Sequence, residues 1–172
     1  MRRSLPLLNW YEKPSPCIYE PGMKTEKGIL AYDPGCSGGL AVLHPEDKSI
    51  ALYPWRTEHE MLDVVSNLRP EAYEAVIEDV PVFVSGLTSN ASSFKLGYNF
   101  GWFVGVSRAL GFATNLIKPK AWQSGLRGLK PKMGYTARKR MLKDNACRLY
   151  PDVKITNATA DAVLIMDHWI NR

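Results

Sequence analysis

The sequence predicts an α/β fold, a five-stranded mixed sheet flanked by helices. Three observations point there. Five short apolar runs have strand length and strand composition. Helical periodicity separates the last three runs and follows the fifth, giving the order β-β-β-α-β-α-β-α-α. A chain of 172 residues, 45% hydrophobic and 23% charged, suffices for one domain with a sizeable core.

Residues 1–26 read as an irregular arm, because Pro6, Pro14, Pro16 and Pro21 forbid long regular elements. The domain then covers 27–172. Strand one runs from Gly28 to Asp33 and strand two from Gly39 to Leu43. Pro34-Gly35 and Gly38-Gly39 are turn signals that fold the two into a hairpin. Strand three covers about 49–53. Thr57 is a helix N-cap with Glu60 at the capping-box position. Met61, Leu62, Val64, Val65 and Leu68 give that helix an apolar side, and it ends before Pro70. Ala75-Val76-Ile77-Glu78 is a fourth strand, apolar enough to be central. Residues 79–93 are a loop.

A long helix follows at about 92–110. In it Gly97, Gly101 and Gly105 recur every fourth residue and line up as one stripe. Each costs roughly 1 kcal/mol of helix propensity. The stripe therefore predicts a close backbone approach. The plainer partner is the protein's own sheet; the sharper one is a second subunit. Residues 113–117 are strand five, and Pro119 opens a short helix. A loop rich in Gly and Lys covers 124–135, and helices follow at about 136–149 and 158–170.

The net charge of +5 conceals an asymmetry. Residues 1–94 carry a net −5 and residues 95–149 a net +11, with Asp144 the single acid of that segment. Such a stretch suits a polyanion, a phosphate backbone above all. Cys17, Cys36 and Cys147 are too scattered for a disulfide framework or a zinc site, and fit a reducing cytoplasm. No secretory signal follows Met1-Arg2-Arg3, and the notable uncharged run at 96–107 is too short to span a bilayer.

Three acids stand at informative places. Asp33 ends strand one, Glu78 ends strand four, and Asp161 lies on the last helix. Strands one and four side by side, with that helix packed on the sheet, would bring all three together. Carboxylates that close repel one another, so cations must neutralise them. Their hard oxygens suit Mg²⁺ or Mn²⁺. Two such ions, about 3.5–4 Å apart, serve phosphoryl transfer. Taken alone, Asp33 reads equally well as a turn-stabilising residue in Asp-Pro-Gly.

Together these segments resemble a family. Ala31-Tyr32-Asp33-Pro34-Gly35-Cys36-Ser37-Gly38-Gly39, Val76-Ile77-Glu78, Lys95-Leu96-Gly97 with Gly101, and Ala160-Asp161-Ala162 occur in the order and spacing of the RuvC-type Holliday junction resolvases. The phage-encoded members are the closest in kind. The resemblance covers about 27–170. It implies a ribonuclease H-like fold, a homodimer, and Mg²⁺-dependent nicking of opposing strands of a four-way DNA junction with two ions per active site. It assigns Asp33, Glu78 and Asp161 as catalytic and metal-binding acids, and Phe83 as a residue that stacks on an opened base pair. The DNA-backbone surface would comprise Lys118, Lys120, Arg127, Lys130 and Lys132, then Arg138, Lys139 and Arg140, with Lys95 beside them. One departure stands out: the family carries a fourth ligand, Asp or His, shortly before the last acid. Here that region holds Asn157 and Ala158. Asn157 offers a carbonyl oxygen or an N-cap. His168, two helical turns after Asp161, is the other candidate.

Two further readings belong beside the nuclease. An Asp before a Gly-rich hairpin also cradles phosphates in actin-like phosphotransferases, although the chain is short for their two lobes. A junction-binding protein with a weakened centre is the other, and Asn157 with Ala158 is its best support.

Overall fold

A computed structural model describes residues 26–80, 89–130 and 132–172. The proposed arm, with Cys17, lies outside these residues apart from its last position, and so does Phe83. Five strands form one sheet: β1 (Gly28–Asp33), β2 (Gly39–Leu43), β3 (Ile50–Pro54), β4 (Tyr73–Glu78) and β5 (Ala113–Ile117). The helices are α1 (Glu58–Ser66), α2 (Asn90–Ala109), α3 (Pro119–Gln123), α4 (Tyr135–Leu149) and α5 (Ala160–Ile170), with a 3₁₀ turn at Pro70–Ala72. Thr57 caps α1 as its sequence requires, its Oγ1 accepting the Glu60 amide at 3.2 Å.

The strand order is β3-β2-β1-β4-β5. The hairpin makes β1–β2 antiparallel, and β2–β3 likewise. The helical crossovers make β1–β4 and β4–β5 parallel, so the sheet is mixed. All six residues of β1 are buried, as a central strand covered on both faces must be.

Alternation along the strands divides the core in two. Leu30, Tyr32, Ala75 and Ile77 face α1 and α2, with Met61, Val65 and Phe103 filling that side. Ile29, Ala31 and Val76 face α5, with Leu142 and Ala146 of α4 behind it. Nine of the eleven residues of α5 are buried. It lies across β1, β2 and β4 under α4 and α3. A helix apolar all round needs that enclosure.

The glycine stripe of α2 does not meet the protein's own sheet, the plainer of the two expected partners. Gly97, Gly101 and Gly105 are exposed, and a Cβ added at any of them meets nothing within 4 Å. The sheet packs against the opposite side of the helix, through Asn99, Phe103 and Ser107. The stripe makes no close approach within the described chain. No helix among the described residues is long and apolar enough to cross a membrane.

Candidate active site

Parallel pairing of β1 with β4 places Tyr32 opposite Ile77, so Asp33 and Glu78 end neighbouring strands at the same edge. Alternation turns both toward the α5 side, since Ala31 and Val76 two residues earlier lie in that core. Asp161 stands in the first turn of α5, where the helix N-terminus favours an anion.

Asp33 is 3% exposed. Its Oδ1 accepts the Gly35 amide at 2.9 Å, an Asx turn that fixes the carboxylate. The turn is then tied down from outside. Asn99 of α2 donates from Nδ2 to the Pro34 carbonyl at 3.2 Å and to the Gly35 carbonyl at 3.5 Å. The Gly38 amide closes the turn on the Gly35 carbonyl at 2.9 Å. Gly38 is obligatory. A Cβ there would collide with the Asp33 carbonyl and come within 2.8 Å of its Cγ.

Glu78 is held differently. Its Oε1 accepts from Nε1 of Trp122, a buried residue of α3, at 3.1 Å. Asp161 is 7% exposed, and its Oδ2 accepts from the ammonium of Lys139 at 2.7 Å. The same Nζ is 3.8 Å from Asp33 Oδ2. Lys139 is thus a cation between two acids that lie far apart in the sequence, whereas the family resemblance places it on the DNA-backbone surface. The other carboxylate oxygen of Asp161, Oδ1, and Oδ2 of Asp33 are buried with no hydrogen-bond partner.

The electrostatics follow. Burial, then the Asp161 charge, push the Asp33 carboxyl up to about 6 against the pull of Lys139. Burial, then Asp33 and Asp161, push Glu78 up to about 8, so Glu78 feels both other acids. Burial works against the Lys139 charge, but Asp161 and Asp33 outweigh it and the net shift is upward.

Among the described residues, no three Asp, Glu, His or Cys side chains form a ready-made metal cage. Asp33 and Asp161 converge on Lys139, and Glu78 stands against Trp122. Two orphaned, buried carboxylate oxygens nevertheless make a donor set that fits a hard cation. Asn157 does not cap α5. The helix begins at Ala160, after a turn in which the Thr156 amide donates to Thr159 Oγ1 at 3.1 Å. Asn157 is instead exposed on a cleft. His168 sits in the last turn of α5, roughly 10 Å along the axis from Asp161, away from the cluster.

The cleft, of about 610 Å³, opens on the outer side of Lys139. Ser37, Tyr135, Thr136, Arg140, Lys143 and Asp144 line it with Asn157 and Ala158. The remaining basic candidates divide. Lys95, Lys118, Lys120, Arg127, Lys130 and Lys132 are exposed. Arg138 is committed to Gln123 Oε1 at 2.6 Å, and Arg140 forms an open ion pair with Asp144 at 3.9 Å.

No protein-family model and no curated protein matches the sequence. Solved structures match its fold. Thermus thermophilus RuvC in complex with a Holliday junction substrate superposes with a TM-score of 0.56 at 15% identity, covering 84% of this chain and 95% of that one. A second Thermus thermophilus RuvC structure gives 0.57 at 17% identity with the same coverage. The fold is that of RuvC. Sequence reading missed two residues that shape the site on this RuvC fold. Asn99 shares the buried side of α2 with Phe103 and Ser107, and nothing in the sequence singles it out. Trp122 follows strand five in an otherwise polar segment, and nothing in the sequence pairs it with Glu78.

Proposed function

We propose that the chain is a structure-selective DNA endonuclease that resolves four-way or otherwise branched junctions by metal-assisted hydrolysis. One observation carries this reading. Asp33 and Asp161, 128 positions apart, meet at one cationic point at the carboxyl edge of the central strands, in a fold shared with a protein solved on a Holliday junction. Asp33, Asp161 and Glu78 would hold Mg²⁺, or Mn²⁺ in its place. Such ions supply an activated water and charge for the leaving oxygen. The chain's own residues do the rest. Gly38 and Asn99 fix the Asp33 turn, Trp122 orients Glu78, and the exposed lysines neutralise phosphates.

The same reading takes a second copy of the chain as partner. Two opposing nicks in a two-fold substrate suit a C2 dimer. The outward face of α2 carries Phe94 at 77% and Tyr98 at 49% exposure along the open glycine stripe. Sedimentation at micromolar concentration should show a dimer, and Gly101→Glu should give a monomer.

The deciding experiment is a labelled four-way junction, a fork and plain duplex incubated with and without Mg²⁺. The junction should be nicked only with the ion. Asp33→Asn should lose nicking by about a thousandfold and keep junction binding. Normal cutting by that variant would end the proposal. Junction binding without nicking under Mg²⁺ or Mn²⁺ would establish the second reading, a non-catalytic junction-binding protein. Asn157 and Ala158, standing where an acid or His ligand is expected, favour that reading.

A further inference from the structure

We propose that Lys139 is a built-in counterion that holds the seat of the divalent ion and is displaced from it into the adjoining cleft, where it meets a DNA phosphate. This rests on the nuclease reading and says how its centre is kept assembled without metal.

The geometry is that of a placeholder. The ammonium lies 2.7 Å from one carboxylate and 3.8 Å from another, both on buried residues. A single positive charge faces the two carboxylates of Asp33 and Asp161, so the neutralisation is incomplete. Two carboxylate oxygens at the centre are left with no hydrogen-bond partner. An ammonium has three donors and cannot reach around the set. A divalent ion takes about six oxygen ligands and would engage the orphaned ones.

Lys139 has somewhere to go. Its stem is a flexible chain of methylenes, and its side chain is 20% exposed. Its outer side is the cleft, where Thr136 and Lys143 stand on the same helix face as Lys139 and Arg140 stands beside them, paired with Asp144, which leaves the wall net positive. That wall already suits an anion. Its neighbour Arg138 is tethered to Gln123 and cannot substitute.

The test is calorimetric titration of Mn²⁺ into the full-length, DNA-free protein. Lys139→Met should bind the ion about tenfold more tightly than the unaltered chain, because the ion no longer displaces a resident charge. Without metal, Lys139→Met should melt lower, and saturating Mn²⁺ should close the gap. Lys139→Arg, which keeps a charge, should show no gain. Equal or weaker ion binding by Lys139→Met would overturn the inference and leave the nuclease reading standing. No Mn²⁺ binding by either protein would sink both. For the second half, junction binding with Ca²⁺ bound is measured against salt. Lys139→Met should lose about one ionic contact from the slope. An unchanged slope would show that the displaced ammonium does not reach the phosphate.

Discussion

Two regions of this molecule are rich in glycine, and they use it in opposite ways. In the turn after β1, Gly38 has no room for a single added carbon, because the Asp33 backbone and carboxylate fill the space. Along α2, Gly97, Gly101 and Gly105 face open space. The two regions touch through Asn99, which leaves the buried side of α2 to hold the carbonyls of that turn. Glycine in the first region is a steric necessity for placing a carboxylate. In the second it costs helix stability with no compensation inside the described chain. The same residue type therefore says nothing until its neighbours are known.

The largest test of this contrast is Gly38→Ala. It should destabilise the protein by about 1–3 kcal/mol through overpacking. Junction nicking should be lost, because Asp33 must shift. Tolerance of Ala there would erase the distinction between the regions.

The turn also carries a buried charge that α2 lacks, and pH exposes it. Asp33 and Glu78 are held above ordinary carboxylates, at about 6 and about 8. Between their unfolded values and these, the folded chain binds more protons than the unfolded one, so stability falls as pH rises. Melting in EDTA should be highest near pH 4–5 and decline toward pH 8, and divalent ions should restore most of the loss. A flat profile would mean that these acids are solvated.

Asn99→Ala removes the strut between the regions. The buried Pro34 carbonyl loses its donor while the Gly35 carbonyl keeps the Gly38 amide, so the melting free energy should fall by roughly 1–2 kcal/mol. Ion binding should weaken with the fold intact by circular dichroism. Last and smallest, Gly101→Ala should leave the folded chain as stable or up to about 1 kcal/mol more so. A loss of stability would show that the stripe is packed in the working molecule, most simply against a second copy.

Much of the fold was legible because it follows from local rules. Thr57 with Glu60, the proline that opens α3 and the hairpin turn each act through neighbours a few residues away. The strand-end acids Asp33 and Glu78 were visible for the same reason, since alternation and strand termination are local. Lys139 was visible only as one charge among many on a basic helix. Asn157 fitted an N-cap by composition, yet Thr156 and Thr159 start the helix later. The side of α2 that meets the sheet was undecidable from spacing alone, because Gly97, Gly101 and Gly105 suit either a close contact or an open face.

By itself the sequence determined the element order, the hairpin, the two acids at strand ends, and the basic second half, all set by short-range sterics, periodicity and charge count. Only the tertiary structure decided that Asp161 faces Asp33 across the Lys139 ammonium, that Trp122 holds Glu78, and that the glycine stripe looks outward. Those facts depend on how α2, α3, α4 and α5 stack on the sheet, and such stacking is fixed by burial summed over the whole chain rather than by any one stretch of it.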